Sequence, residues 1–597
     1  MCGIIACSIN KPCFPFINDG LESLSHRGYD SWGICLQNNN PDYFLVRKGL
    51  GIYKKNCDFN LMPQHTTGLG HVRWASTGKV SIENAHPIAG GLTINNPSVY
   101  VVHNGIIENY QVLKEWLIEE GYSFQTETDT EVIAHLLSYF SRLHGYSGMV
   151  TLENLRRVTR KVMNSLRGSY AFAAISKLYP DCVVLACHGS SLVFTTDGYA
   201  ASEASALPEE SRFFNSMASD DITILKNGRA WSWDYKDDYV KVQNYLIPKK
   251  NKQKEIKFAH HMRSEIEEQT KPYESFDNPS LKPVKIKLFG CGSSYHAALL
   301  GRHYLEFIAG IPCSVEYATE VGYLPLNSSD YYIGITQSGE TKDTISALDK
   351  PIRQKLFPNR LVITNNENCR IVKENLAIFL NCGPEKGVAA TKTFTHSCLA
   401  LLNLAVNWCD HNSLCIHDSK TEFPKAIQNV INKEDDIQYL AQEIHRNNYH
   451  NILYLARGMM YPIAKEGALK MKEVAYRHAE AMHSSEIKHG AIALIDPSVL
   501  SIFLITNQDD KYVRQVLNNL EEIKARDGKV LVICDSQSYD EVEKSGADWM
   551  FVVPDINPYL QPLVVNVALQ LLAYHVAILD NIDVDHPKNL SKCVTVS

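Results

Sequence analysis

From residue 284 onward, short apolar strands alternate with long helices, and the pattern runs twice. VKIKLFG leads through a Gly-containing turn into HAALLGRHYLEFIAG, and SVEYA, YYIGITQ and RLVITN follow. After a helical bridge over 398–445, NILYLARG (451–458) opens a second run. A helix over 461–477 comes next, then SIFLITNQ, KVLVICDS and DWMFVVP. Near-continuous apolar strands separated by helices require burial on both faces, so each run predicts α/β architecture with a doubly wound parallel sheet. Two copies of one strand–turn–helix unit form an internal repeat.

The first 240 residues have a different texture. Short β-like runs such as GIIACSI, WGICL, SVYVVHNG and YAFAAIS dominate, with two helical stretches near 108–120 and 129–143. That mixture predicts a layered α+β fold. The polar stretch 234–257 reads as a linker, and HHMRSEIEEQTKPYESF after it as a lead-in helix. The expected division is therefore 2–240, a linker and helix over 241–280, α/β units over 281–425 and 440–580, and a tail over 581–597. A polar tail is ordinarily disposable.

Composition removes several classes. The net charge of −7, with no basic block, argues against nucleic acid or an anionic membrane as partner. The apolar stretch Leu563 to Leu579 is interrupted by Asn566, Gln570 and His575, so it reads as a core helix. The N-terminus lacks a basic leader. Sixteen cysteines spread over 597 residues, with no C-x-x-C, suit a reducing compartment better than a disulfide framework. The expectation is a soluble cytoplasmic protein.

One cysteine has chemistry of its own. Removal of Met1 would leave Cys2 with a thiol and an α-amine on one residue, and the amine can take the thiol proton. An amide-hydrolysing site also needs a guanidinium for a substrate carboxylate, which suits Arg73 in GHVRWASTG. It needs a carboxylate for a substrate ammonium, which suits Asp129 in QTETDTEV. It needs oxyanion donors, which suits Asn104 and Gly105 in VVHNGIIENY. Taken singly, Asp129 could be a helix cap, Asn104-Gly105 a hairpin turn and Arg73 a surface charge.

In the second half, GCGSSYHA (290–297) lacks the third glycine of a dinucleotide fingerprint, because Tyr295 stands there. No phosphate loop for ATP occurs. Ser293 and Ser294 open a helix after a strand, and Thr336, Gln337, Ser338 and Thr341 surround a glycine in YYIGITQSGETKDT. Hydroxyls and backbone N–H groups at such turns suit a phosphate. Glu466, Lys470 and Glu473 fall at i, i+4 and i+7, on one helical face. They fit either a solvated ion-pair stripe or an acid/base group beside a cation. His478, His483 and His489 do not have the spacing of a zinc site.

The segments MCGII, HRGYDS, H-x-R-W-A, AHP, HNGIIEN and TDTEV resemble the N-terminal-nucleophile glutamine amidotransferases. The resemblance implies that Cys2 attacks the glutamine amide, with its own amine as base. It implies that Arg73 and Asp129 hold the ends of glutamine, and that Asn104 with Gly105 forms the oxyanion hole. Trp74 would gate ammonia, and His86 would support the pocket. Where that family commonly has Thr-His-Gly after R-W-A, this chain has Ser76-Thr77-Gly78. An imidazole used for packing would then be lost, whereas a backbone contact would survive.

The segments after 284 are similar to sugar isomerase (SIS) repeats. That similarity implies that Ser293, Ser294, Thr336, Gln337, Ser338 and Thr341 bind fructose 6-phosphate, with Val388 and Ala390 lining the sugar pocket. Ala390 replaces a common serine. Lys592 would form a Schiff base with the ketose. Glu473 would move the proton between C1 and C2. His489 would assist ring opening from the partner subunit of a homodimer. Together the two resemblances imply conversion of L-glutamine and D-fructose 6-phosphate to L-glutamate and D-glucosamine 6-phosphate, a first step of amino-sugar synthesis. No metal or organic cofactor is expected.

Overall fold

The computed structural model describes residues 2–37, 43–55, 65–93, 96–145, 151–190, 192–240, 244–247, 258–273, 276–356, 359–367, 369–409, 419–506, 510–590 and 592. Two compact units lie within Met1–Lys254 and Glu255–Lys592.

In the first unit, two antiparallel sheets stack face to face. Gly3–Ser8 is central in one, between Thr67–Arg73 and Tyr199–Ala201. Val99–Ile107 and Gly168–Ser176 pair in the other. Side chains alternate across each strand. Ile4 and Ala6 therefore meet Val102, Ala171 and Ala173 between the sheets. Ile5 and Cys7 face outward against Ile17 and Leu21 of the helix Phe14–Ser23. On the far side, Val99 and Val101 pack on Val132, Ile133 and Leu136 of the helix Thr130–Gly145 and on Leu155, Val158 and Val162 of Leu152–Ser165. The result is the layered α+β arrangement, helix–sheet–sheet–helix.

Two of these helices exceed the sequence expectation. Phe14–Ser23 carries Pro15 and Gly20, which read as loop punctuation. Pro15 sits in the first turn, where a missing N–H is harmless. Leu152–Ser165 is dense in charge, yet its apolar residues recur every three or four positions, and the Thr151 hydroxyl caps it by accepting from the Asn154 N–H at 3.2 Å.

The second unit holds two five-stranded parallel sheets with the same topology. In each, the second strand in sequence lies at the edge, next to the first, which is followed by the third, fourth and fifth. The first strands are Ile286–Gly290 and Asn451–Ala456. Ligands bind such sheets outside the carboxyl ends of the first and third strands, where the winding reverses. One apolar core joins both sheets, with Leu288 and Ile333 from one and Ile502 and Leu531 from the other.

The helix Gln561–Leu579 runs through this core. Its length and apolar composition would suffice to cross a membrane, but 83% of its most apolar window is buried inside the protein. Two of its polar residues have protein partners, while the buried Asn566 amide has none among the described residues. Gln570 Oε1 accepts from Gln269 Nε2 at 2.8 Å, and His575 Nε2 lies 2.8 Å from Glu434 Oε1.

Candidate functional site

The pairing of Gly3 with Val72 brings the ends of two strands together. Cys2 therefore lies beside Trp74. The thiol donates to the Trp74 carbonyl at 3.3 Å, and the Trp74 N–H approaches Sγ at 3.4 Å. Burial raises the thiol pKa above its ordinary value, while the Trp74 bond and the guanidinium groups of Arg73 and Arg27 work against that rise. Arg27 Nε donates to the Cys2 carbonyl at 3.1 Å and Nη1 to Glu203 Oε2 at 3.2 Å. The backbone of Cys2 is thereby pinned.

Arg73 is buried, not a surface charge. Its Nη2 donates to the carbonyls of Thr77 at 2.6 Å and Gly78 at 3.3 Å, and Nη1 to that of Lys79 at 3.4 Å. Main-chain oxygens thus hold the loop, while Ser76 is exposed and Thr77 half-buried. The Ala75 N–H donates to Asp30 Oδ2 at 2.8 Å and anchors the other side of the loop.

Asn104 and Gly105 are not a hairpin turn. They lie inside the strand Val99–Ile107, opposite Ala171 and Tyr170. At Gly105 φ is +131°, and a Cβ would stand 2.1 Å from the Ser169 carbonyl oxygen, so only glycine fits. Asn104 Nδ2 donates to Ser202 Oγ at 2.9 Å, and the same hydroxyl accepts the Ile4 N–H at 2.8 Å. Ser202 so ties Asn104 to the strand that begins just after Cys2. Asp129 is buried at the start of the helix Thr130–Gly145 and accepts the Ile107 N–H at 2.7 Å. His86 is buried between His71 and Thr130.

In the second unit, Ser293 and Ser294 begin the helix Ser293–Phe307 directly after the first strand. Thr336 follows the third strand, Tyr331–Ile335, and Thr341 precedes the helix Lys342–Arg353. The two loops flank the reversal of winding. Thr336 Oγ1 accepts the Gly339 N–H at 3.2 Å and lies 2.9 Å from Thr341 Oγ1. Ser338 Oγ accepts the Glu340 N–H at 3.1 Å, and the Gln337 carbonyl accepts the Asn365 N–H. These bonds shape a turn of hydroxyls and N–H groups suited to phosphate.

The helix Met460–Ala475 presents Glu466, Lys470 and Glu473 to a buried network, not to solvent. Lys470 Nζ lies 2.5 Å from Glu473 Oε2 and 3.2 Å from Glu466 Oε1. Glu466 also accepts from Ser293 Oγ at 2.8 Å and pairs with His296 Nδ1 at 2.8 Å. Burial alone would raise the Glu466 carboxyl, but Lys470 and His296 hold it below its ordinary range. Burial alone would lower the Lys470 ammonium, and its two carboxylates raise it. The charges are mutually fixed.

Lys592 belongs to a second buried cluster. Its side chain is 9% exposed, and Nζ lies 2.5 Å from Glu385 Oε2 and 2.7 Å from the Gly387 carbonyl oxygen. Glu385 also accepts from the Thr391 N–H at 3.0 Å and from Thr393 Oγ1 at 2.7 Å. The half-buried Val388 and Ala390 lie in the same loop. The tail before Lys592 is anchored rather than loose. Asp585 accepts the N–H groups of His261 and Met262 at 2.7 and 2.9 Å, and the Lys588 N–H donates to the Tyr476 hydroxyl at 2.6 Å. His489 is exposed at the end of the turn Ser484–His489 and takes no part in these networks.

The family model of the SIS domain matches residues 281–407 and 447–580, and that of a glutamine amidotransferase domain matches 83–207. Glutamine–fructose-6-phosphate aminotransferase (isomerizing) of Legionella pneumophila is 35% identical over the full length of both chains. The Aquifex aeolicus enzyme of that name is also 35% identical over 100% of each chain. This chain belongs to the glutamine–fructose-6-phosphate aminotransferase family. The solved C-terminal domain of glucosamine-fructose-6-phosphate aminotransferase from Francisella tularensis is 31% identical. That match covers 56% of this chain and 100% of that one, with a TM-score of 0.50.

Within this aminotransferase framework, the structure adds residues that the motifs alone did not single out. Arg27 and Asp30 brace Cys2 and the loop after Trp74, and both lie in the HRGYDSWG segment. His71, His103 and Thr130 surround His86. His296 and Glu385 complete the two buried clusters of the aminotransferase's second unit, and Asp585 anchors the tail before Lys592. Histidines next to Arg73 and Asn104 in sequence were the available signal for the first group. Glu385 stands three residues before Val388 and carried no signal beyond that proximity.

Proposed function

We propose that this chain converts L-glutamine and D-fructose 6-phosphate to L-glutamate and D-glucosamine 6-phosphate. In the first unit, Cys2 Sγ attacks the glutamine amide carbon after its own α-amine takes the thiol proton. Asn104 Nδ2–H and the Gly105 N–H hold the tetrahedral oxyanion. Arg73 and Asp129 take the substrate's carboxylate and ammonium. The amine returns its proton to the leaving ammonia, and water hydrolyses the thioester to glutamate. Ser76 and Thr77 border this pocket, and Trp74 controls the exit of ammonia. Exclusion of water keeps the ammonia unprotonated on its way to the sugar.

In the second unit, the Ser293–Ser294 turn and the loop of Thr336, Gln337, Ser338 and Thr341 take the phosphate. Lys592 Nζ condenses with the C2 carbonyl of the open ketose beside Val388 and Ala390. Ammonia displaces the lysine. Glu473, held in place by Lys470, carries the proton from C1 to C2 and leaves the 2-amino aldose. His489 opens the sugar ring from the partner subunit of a homodimer, which accounts for its exposure in a single chain. The enzyme works in the cytoplasm, where its thiols stay reduced.

The observation that most supports this reading is the burial of Lys592 against Glu385. A lysine in a polar tail is ordinarily solvated, whereas this ammonium is drawn onto one carboxylate and one carbonyl oxygen. The test is an assay of both products from glutamine and fructose 6-phosphate. Release of glutamate and glucosamine 6-phosphate in equal amounts is the expected result. Glutamate release without the amino sugar would refute the proposal.

A further inference from the structure

Three histidines and a threonine are buried together behind Asn104. His71, His86, His103 and Thr130 are each no more than 4% exposed. His71 Nε2 lies 3.1 Å from the His103 carbonyl oxygen and 3.1 Å from Asn104 Oδ1. His71 Nδ1 lies 3.2 Å from His86 Nδ1. His86 Nε2 lies 2.8 Å from Thr130 Oγ1, and the same oxygen lies 2.9 Å from His103 Nδ1. The rings of His71 and His86 meet edge to face, 4.3 Å apart.

These contacts have one consistent proton assignment. A backbone carbonyl only accepts, so His71 Nε2 carries its ring proton and Nδ1 is an acceptor. His86 Nδ1 must then donate to it, which leaves His86 Nε2 to accept the Thr130 hydroxyl proton. Thr130 Oγ1 in turn accepts from His103 Nδ1–H. The chain of donation runs from His103 through Thr130, His86 and His71 and ends on Asn104. Because His71 Nε2 donates, the Asn104 atom facing it is oxygen, and the NH₂ group faces the other way. That assignment needs neutral imidazoles. Burial lowers the pKa of all three rings, that of His71 to about 3.

We infer that His103, Thr130, His86 and His71 form a one-way hydrogen-bond relay that orients and polarises the Asn104 amide as an oxyanion donor. The inference rests on the reading of Asn104 as an oxyanion residue. Donation to the amide oxygen draws electron density from nitrogen and strengthens the Nδ2–H as a donor, and buried chains of hydrogen bonds reinforce one another. The four are positioning residues, since they act through Asn104. The gain falls on the tetrahedral state, where the oxyanion exists, and not on ground-state binding of glutamine.

The experiment compares full-length enzyme carrying Thr130→Val, Thr130→Ser, Asn104→Ala, and Asn104→Ala with Thr130→Val. Thr130→Val breaks the relay at its centre and should lower glutaminase kcat about five- to tenfold with little change in KM. Thr130→Ser should restore the rate. Affinity for glutamate γ-semialdehyde, which forms an oxyanion on Cys2, should fall by the same factor as kcat, while affinity for glutamate stays constant. In the Asn104→Ala background, Thr130→Val should add nothing. Equal losses in both backgrounds, or a rise in KM without a fall in kcat, would overturn the relay. Full activity of Asn104→Ala alone would instead overturn the oxyanion reading beneath it. Nitrogen-15 spectra of the wild-type histidines need no variant. They should show His71 protonated at Nε2 and His86 at Nδ1, and the opposite tautomers would exclude the relay.

Discussion

Lys592 Nζ and Glu385 Oε2 stand 2.5 Å apart, in a chain where 207 residues separate them. The carboxylate is fully buried and the ammonium nearly so. Two charges withdrawn from water in this way add little net stability, because desolvation offsets their attraction. In the proposed mechanism the pair keeps an amine in place beside the Val388–Ala390 loop until a carbonyl arrives.

Lys592→Ala should therefore abolish any adduct that borohydride traps between the enzyme and fructose 6-phosphate. Mass spectrometry of the reduced protein reads this directly. An adduct of undiminished yield in the variant would disprove the Schiff-base role.

Lys470 holds two carboxylates, Glu466 and Glu473, and is itself fully buried. Lys470→Met should cost about 3 kcal/mol of stability, because Glu466 is left charged and buried without its cation. The isomerisation rate should fall about a hundredfold as Glu473 loses the partner that holds its carboxylate in place. Denaturant unfolding and a fructose 6-phosphate isomerisation assay check the two effects separately. An unchanged rate would remove Glu473 from the proton-transfer step.

The neutral histidines behind Asn104 make the first unit sensitive to acid. His71 goes from an ordinary pKa of 6.5 in the unfolded chain to about 3 in the fold, and His86 and His103 also move down. Each contributes stability that is complete above pH 6.5. It is lost as pH falls from 6.5 towards the folded value, because the unfolded chain then binds protons that the native state cannot. Each such ring adds a slope of about 1.4 kcal/mol per pH unit. Replacing His103 by Phe should flatten the decline in melting temperature of the first unit between pH 6.5 and pH 4. A decline as steep as that of the parent would show that His103 titrates normally in the fold.

Arg73 grips the main chain of Thr77, not its side chain. Thr77→Ala should change KM for glutamine by less than about twofold, because it leaves in place the carbonyl that Arg73 grips. Steady-state glutaminase kinetics decide this. A tenfold rise would mean that the Thr77 side chain itself contacts glutamine.

Local pattern carried some of this site and tertiary pairing carried the rest. The spacing of Glu466, Lys470 and Glu473 put them on one helical face, and the structure keeps that face. Their contact with Ser293 and His296 joins residues 170 or more positions apart, which no helical period encodes. Read locally, Asn104-Gly105 allows a hairpin turn beside the reading as oxyanion donors. Pairing with the strand Gly168–Ser176 puts it inside a strand, and only glycine at 105 clears the Ser169 carbonyl there. The helix Leu152–Ser165 was masked by its density of charge, although Leu155, Val158 and Val162 recur at helical spacing and form a stripe buried against the sheet. The repeated parallel sheets were legible because burial on both faces leaves continuous apolar strands. The tail was not, because Asp585 and Lys588 are held by the distant His261, Met262 and Tyr476.

The central claim is that one chain couples glutamine hydrolysis at Cys2 to amination of a sugar phosphate. Glutamine labelled with nitrogen-15 in its side-chain amide tests it most directly. The wild-type enzyme should give one labelled glucosamine 6-phosphate for each glutamate, and Cys2→Ala should give neither while still isomerising fructose 6-phosphate. Labelled amino sugar formed by Cys2→Ala, or glutamate formed by the wild type with no label in the sugar, would contradict it.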